Sequence, residues 1–154
     1  MSVILDADSI RACTLGTIVQ RATATLPAGT DGALFTITGG QILLLAFWGE
    51  VTTAIQNQAN ATKLKFNPTA TGADQDLCAT LDIDNDAVGE IYSITGTVGD
   101  AMVSDLLIGN VMLQDPLLLS EGDIELDCAA TNTGSVAWNM IYVSLDSAGT
   151  VAAA

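Results

Sequence analysis

From residue 17 onward, apolar and polar positions alternate in short runs rich in Val, Ile, Thr and Leu, and Gly, Asn, Asp or Pro interrupts them at short intervals. A period of two marks half-buried strands, because successive side chains point to opposite faces of a sheet. Residues 17–25 read as the first strand, and Leu26-Pro27-Ala28-Gly29-Thr30-Asp31-Gly32 as the reversal after it, since Pro and Gly supply the backbone angles a turn needs. Residues 33–38 follow, ending at Gly39-Gly40. Residues 41–55 form the longest run, with Ile42, Leu44, Ala46 and Trp48 on one face and Leu43, Leu45 and Phe47 on the other. A strand apolar on both faces is either central or lies at a subunit contact. Residues 62–66 place Leu64 and Phe66 opposite Lys63 and Lys65 and stop at Asn67-Pro68, which reads as an edge strand guarded by lysines.

Two hairpins are predicted beyond that point. In the first, residues 77–83 turn at Asp84-Asn85-Asp86 and return as 88–95. A further strand spans 106–113. In the second hairpin, residues 123–130 alternate Ile124, Leu126 and Cys128 with acids, turn at Thr131-Asn132-Thr133-Gly134, and return as 135–145 with Val136, Trp138, Met140 and Tyr142 on one face. About nine strands with no helical pattern between them predict an all-β fold, an antiparallel β-sandwich of jelly-roll-like type. Residues 1–16 read as an N-terminal arm in which Asp6, Asp8 or Ser9 can cap one helical turn. Residues 17–148 form the sandwich, and 149–154 a small, uncharged tail that either frays or adds to a neighbouring subunit's sheet.

Composition narrows the function. Four Lys and Arg against eighteen Asp and Glu give a net charge of −14 across 154 residues, a field that repels phosphate backbones and anionic lipid. Neither nucleic acid nor membrane is therefore an expected partner. The opening Met1-Ser2-Val3-Ile4-Leu5-Asp6 lacks the basic start of a secretory signal, and the longest apolar run is far short of the roughly 20 residues a membrane-spanning helix needs. The absence of histidine removes the commonest general base and the Ser-His and Cys-His nucleophile pairs, so the expectation is a non-enzyme without a cofactor. A serine nucleophile would have to use Lys63 or Lys65, and neither a Gly-x-Ser-x-Gly elbow nor a phosphate-cradling glycine motif occurs. Cys13, Cys78 and Cys128 are an odd set without CxxC spacing and read as plain thiols, the alternative being a Cys78–Cys128 bridge.

Three groups remain as candidate chemistry. Asp82, Asp84 and Asp86, with Asn85, offer hard oxygen ligands like the opening of a calcium loop, but Ala87 and Ser93 stand where that loop needs Gly and Glu. The competing reading is an Asp/Asn-rich turn whose side chains bond their own backbone. Glu121, Asp123, Glu125 and Asp127 line one strip of a strand, either a solvated outer face or paired carboxylates for acid–base work. Phe47, Trp48, Trp138 and Tyr142 are either core anchors or a sugar-stacking face.

Several strings resemble a family of tailed-phage capsid decoration, or cement, proteins. They are Gly16-Thr17-Ile18-Val19-Gln20-Arg21-Ala22, Ala33-Leu34-Phe35-Thr36-Ile37-Thr38-Gly39-Gly40, Gly49-Glu50-Val51-Thr52-Thr53-Ala54-Ile55, Asp76-Leu77-Cys78-Ala79, Ala87-Val88-Gly89-Glu90-Ile91-Tyr92-Ser93-Ile94-Thr95-Gly96 and Asn132-Thr133-Gly134-Ser135-Val136-Ala137-Trp138. The resemblance implies a small β-sandwich that sits as a homotrimer on the outside of an icosahedral head, at or near threefold axes, and clamps the major capsid protein. It implies assembly in a host bacterial cytoplasm and residence on the outer surface of the virion. No motif of the family marks contact residues. The expected contact elements are the arm, with Val3, Ile4, Leu5 and Ile10, and the two-faced strand, with Ile42, Leu44 and Trp48 at the trimer seam. The rival readings are a tail- or fibre-associated receptor-binding module and a cation-dependent or carbohydrate-binding protein using the Asp82–Asp86 turn.

Overall fold

A computed structural model describes residues 6–106 and 114–154. Helix α1 (Ala7–Leu15) precedes strands β1 (Thr17–Thr25), β2 (Asp31–Thr38), β3 (Ile42–Thr53), β4 (Ala61–Pro68), β5 (Gln75–Asp76) and β6 (Leu81–Asp82). There follow β7 (Glu90–Ser93), β8 (Val103–Leu106), β9 (Leu117–Leu119), β10 (Gly122–Cys128), β11 (Ser135–Ser144) and β12 (Thr150–Ala153). One antiparallel sheet has the order β1-β11-β3-β7-β8, with β9 also on β3; the other has β12-β2-β10-β4-β5, with β6 also on β4. The pairs nest: β1 with β11, β2 with β10, β3 with β7 and β9, β4 with β5 and β6. Such nesting is one long hairpin rolled up so that successive limbs fall in alternate sheets, which is the winding of a jelly roll.

The inward faces of the two sheets supply the core. Phe35, Ile37, Leu64, Ile124 and Leu126 meet Ile42, Leu44, Phe47, Val136, Trp138 and Met140, all buried. Phe47 is the hub, 5.7 Å edge-on from Phe35 and 5.4 Å from Trp138 between ring centres, and Tyr92 stacks on the other side of Trp138 at 6.2 Å. Gly49 makes this possible. A Cβ there would stand 2.6 Å from the Trp138 ring, so the indole lies directly on the β3 backbone.

The strand limits follow the sequence closely, but both predicted hairpins are corrected. β6 and β7 lie in different sheets, as do β10 and β11, so the turns after residues 83 and 130 cross the sandwich. The returning segment before β7 bonds to the end of β3 instead of to 77–83, through Ile55 N–H to Asp86 O at 2.9 Å and Gly89 N–H to Val51 O at 2.8 Å. The lysine-bearing strand β4 is also not an edge, since β10 pairs along one side and β5 and β6 along the other. The tail forms β12 on β2 of its own chain, where Thr150 meets Thr38 and Ala153 meets Phe35. The strand predicted at 106–113 is described only to Leu106, as part of β8.

Two further differences shape the surface. In β3 the register shifts so that Leu44 faces Tyr142 and Ala46 faces Ile141, leaving Leu45 as the extra residue of a bulge. The alternation inverts there. Ile42 and Leu44 point inward before it, Phe47, Gly49 and Val51 after it, and Trp48 joins Leu43 on the outside. The arm holds a nine-residue helix, longer than the single turn predicted. Asp6 caps it by accepting the Ser9 N–H at 2.7 Å, and Gly16, at φ 88°, ends it by donating to Ala12 O at 3.0 Å. No helix among the described residues is long and apolar enough to cross a membrane.

Candidate functional site

The two outer faces of the sandwich have opposite chemistry. On the β2-β10-β4 face, register places Glu125 beside Lys65 and Asp127 beside Lys63. Lys63 Nζ lies 2.7 Å from Asp76; Lys65 Nζ lies 2.9 Å from Asp31, 3.1 Å from Asp74 and 4.0 Å from Asp127. Thr36 donates to Asp123 at 2.6 Å and Asn67 to Glu125 at 3.2 Å. The Lys65 hydrogen bond holds the Asp31 carboxyl below the usual range, whereas burial and the adjacent Asp31 carboxylate raise Asp127. Asp31, reinforced by Asp74, raises Lys65. The acidic strip read from the sequence is thus half of a cross-strand ion network, with Asp123, Glu125 and Asp127 inside it and Glu121 just before β10.

Carboxylate oxygens of Asp31, Asp74 and Glu125 lie within 4.8 Å of one another, and the positive charge already at that spot is the Lys65 ammonium. Asp82, Asp84 and Asp86 do not converge in this way. Asp82 accepts the Asn60 N–H at 2.7 Å, Asp86 accepts the Tyr92 hydroxyl at 2.5 Å, and Asp84 is exposed. Asn85 between them takes φ 62°, the left-handed conformation that Asn tolerates in turns. Burial raises the Asp86 carboxyl and, with the Asp86 contact, the Tyr92 hydroxyl. These groups fasten the β6–β7 crossover to the core.

The cysteines are free thiols. Buried Cys128 accepts from the Thr62 hydroxyl and buried Cys78 from the Leu64 N–H, so the sulfurs bond to β4 and not to each other. Cys13 is exposed on α1. Phe47, Trp138 and Tyr142 are core anchors, which leaves Trp48, half-buried on the outer surface, as the exception among the four aromatics.

The outer face of the β1-β11-β3 sheet is apolar. Ile18 pairs with Ile141 and Ile141 with Ala46; Leu43 sits between Val143 on β11 and Leu118 on β9; Trp48 sits between Asn139 and Ser93. Ile18 is 51% and Leu118 58% exposed, and Leu43, Leu45, Trp48 and Ile141 are half-buried. Along β3 the first carboxylate on this face is Glu50, and the rows from Leu43 to Trp48 hold no charge. Leu118 also borders an open groove of about 560 Å³ where this surface meets the ionic one, lined by Phe66, Leu77, Val98 and Leu117 together with Asp74 and Asp76. Gly16, which joins α1 to β1, lies against the same face, where a Cβ would come within 2.9 Å of Ile141 Cγ2 and 3.3 Å of Leu45 Cδ1.

The predicted contact residues therefore separate. Val3, Ile4 and Leu5 lie outside the described residues. Ile42 and Leu44 are fully buried, turned inward by the bulge, and present nothing to a partner. Trp48 and Ile10 are accessible, the latter 50% exposed on α1. Ile18, Leu43, Leu45, Leu118, Ile141 and Val143 complete the face. Of these, Leu43 and Leu45 were visible as the second apolar row of the strand, whereas the others needed the strand order.

This arrangement can exclude water from a protein surface laid on the apolar side while the ion network keeps the opposite side hydrated. The two lysines on which a serine–lysine nucleophile would rely are both held by carboxylates. Compared with protein-family models, curated proteins and solved structures, the chain matches none of them.

Proposed function

We propose that this chain is a structural protein of a tailed-phage virion: a capsid decoration, or cement, protein. In this reading it binds the outside of the icosahedral head as a homotrimer at or near threefold axes and stabilises the major capsid protein lattice. The observation that carries the proposal is the two-faced sandwich, apolar and uncharged over Ile18, Leu43, Leu45, Trp48 and Ile141 and densely ionic on the other side. A protein that coats a shell needs such polarity, one face to lose water against the lattice and its neighbours, one to remain wet. Its work is thermodynamic. Copies that bind the mature lattice in preference to its precursors stabilise that lattice by mass action. A charge of −14 suits the outer surface, separated by the shell from packaged DNA. The strings that resemble the decoration family span most of 16–145 and favour the same reading.

The test is gold-labelled antibody against this chain, applied to purified virions of the phage that encodes it and followed by a difference map. Label spread over the head is expected. Label confined to the tail would move the assignment to a receptor-binding module, and particles free of label would overturn the structural reading altogether.

A further inference from the structure

Among the described residues, helix α1 is a second element left uncovered. Its ends are capped, yet Ile10 and Leu15 are 50% and 63% exposed, and among its described side chains only Ser9 is even half-buried. A helix this short does not persist alone in water and takes its stability from what it packs on. Its own sandwich touches it only at one end, where Arg11 and Ala12 share a shallow cleft with Thr17 and Ile18, and leaves Ile10 and Leu15 uncovered. We infer that α1 of one copy covers the outer β1-β11-β3 face of a second copy, so that this chain self-associates by exchange of its N-terminal helix. The inference rests on the self-association in the proposed function and not on the capsid.

Charge selects a second copy of this chain as the occupant. With a net charge of −14, most ways of bringing two copies together set carboxylate against carboxylate, and the ionic face would do so at Asp31, Asp74, Glu125 and Asp127. The Leu43–Trp48 rows are free of charge, and α1 carries one acid and one base, Asp8 and Arg11. With its cap Asp6 the helix carries one acid more than it carries bases, so laying it on the uncharged rows sets far fewer carboxylates against one another than contact through the ionic face would. The dimensions agree. Nine helical residues span about 13 Å, and the three strands β1, β11 and β3 lie across about 10 Å, so one helix covers the face from Ile18 to Leu43. Helix-to-face contact is head-to-tail, with different surfaces on the two partners, and it closes into a ring when the rotation between copies permits.

The exposed thiol Cys13 reports the contact in solution, because Cys78 and Cys128 are buried. The full chain carrying Val143→Cys is oxidised mildly and run on non-reducing gels beside the unsubstituted chain and beside Thr36→Cys, which places the new thiol on the ionic face. Helix exchange predicts a ladder extending past the dimer for Val143→Cys, whereas Cys13 alone can give no more than dimers. Thr36→Cys should give no ladder, and adding Cys13→Ser to Val143→Cys should abolish it. An intrachain bond, seen as lost thiols at monomer mass, overturns the inference, and so does equal laddering at residue 36. In parallel, light scattering on the full chain with Ile10→Asp and Leu15→Asp should give monomer mass with a cooperative melting transition that no longer depends on protein concentration, and an oligomer that survives these changes overturns the exchange. Head labelling that persists while helix exchange fails leaves the capsid reading standing, and the converse result removes only the capsid.

Discussion

Replacing Lys65 by Met tests whether the ionic face is held together by charge. The side chain keeps its length but loses the ammonium that bonds Asp31 at 2.9 Å and Asp74 at 3.1 Å and faces Asp127 at 4.0 Å. Lys65 is 15% exposed and its two close partners 37%, so solvent screens each pair to the upper part of the surface range, about 1 kcal/mol apiece. The expected loss is about 2 kcal/mol at pH 7 and low salt, or roughly 4–8 °C in melting temperature for a chain of this size. The pH dependence follows from the shifts. Asp31 titrates below 3.8, so its contribution is complete above that value and disappears as pH falls through its folded-state value; Lys65, raised, stays charged throughout. In the unsubstituted protein Asp127, raised, takes its proton before Asp31, lowered, as the pH falls. Urea unfolding of both proteins at pH 7 and pH 2.5, each with and without 0.5 M salt, measures the gap. It should be full at pH 7 and low salt, smaller in salt, and smaller at pH 2.5 than at pH 7. An equal loss under all conditions would refute the argument and assign the effect to packing of the lysine stem.

Three other outcomes are expected. Gly49→Ala forces a methyl group into the Trp138 ring and should cost about 1–3 kcal/mol by denaturant unfolding. Asp86→Asn should raise the melting temperature at pH 7, because the buried carboxyl titrates above 3.8 and its ionisation costs stability as pH rises through that window. The amide oxygen still accepts the Tyr92 hydroxyl, and the gain should fade as the pH is lowered to 3. A thiol reagent should modify one cysteine per native chain, Cys13, and all three after unfolding, since burial both shields Cys78 and Cys128 and raises their thiols.

Strand limits such as β1 and β11 were readable because alternation reports that one face is buried. Alternation does not report which sheet a strand joins. Residues 123–130 and 135–145 make the same pattern as neighbours in a hairpin or as facing walls of a sandwich. What decides is Asn132, whose amide donates to Gln56 O and Gln58 O from a loop far away in the chain. Lys63 and Lys65 looked like guards of an edge because the strand that flanks them, β10, lies about 60 residues further on, while their closest carboxylates, Asp31, Asp74 and Asp76, are brought in by β2 and by the segment leading into and through β5. The candidate face was half visible as the double apolar row of β3, but one unpaired residue, Leu45, exchanged its inside and outside, sending Ile42 and Leu44 into the core and Trp48 to the surface.

The nesting of the β2–β10, β3–β7 and β4–β5 pairings inside the one between β1 and β11 also sets a timetable for synthesis. Thr17 cannot meet Tyr142 until almost the whole chain has left the ribosome, which at 5–20 residues per second is a delay of roughly 6–25 s. During it, Ile18, Val19 and the whole of β3 are bare, and neighbouring nascent chains on one messenger are bare in the same way. Pairings this distant in sequence form slowly even in a complete chain. The surplus of carboxylates then acts before any native contact exists, as mutual repulsion that keeps half-made copies apart until the last strands arrive to close the sheets.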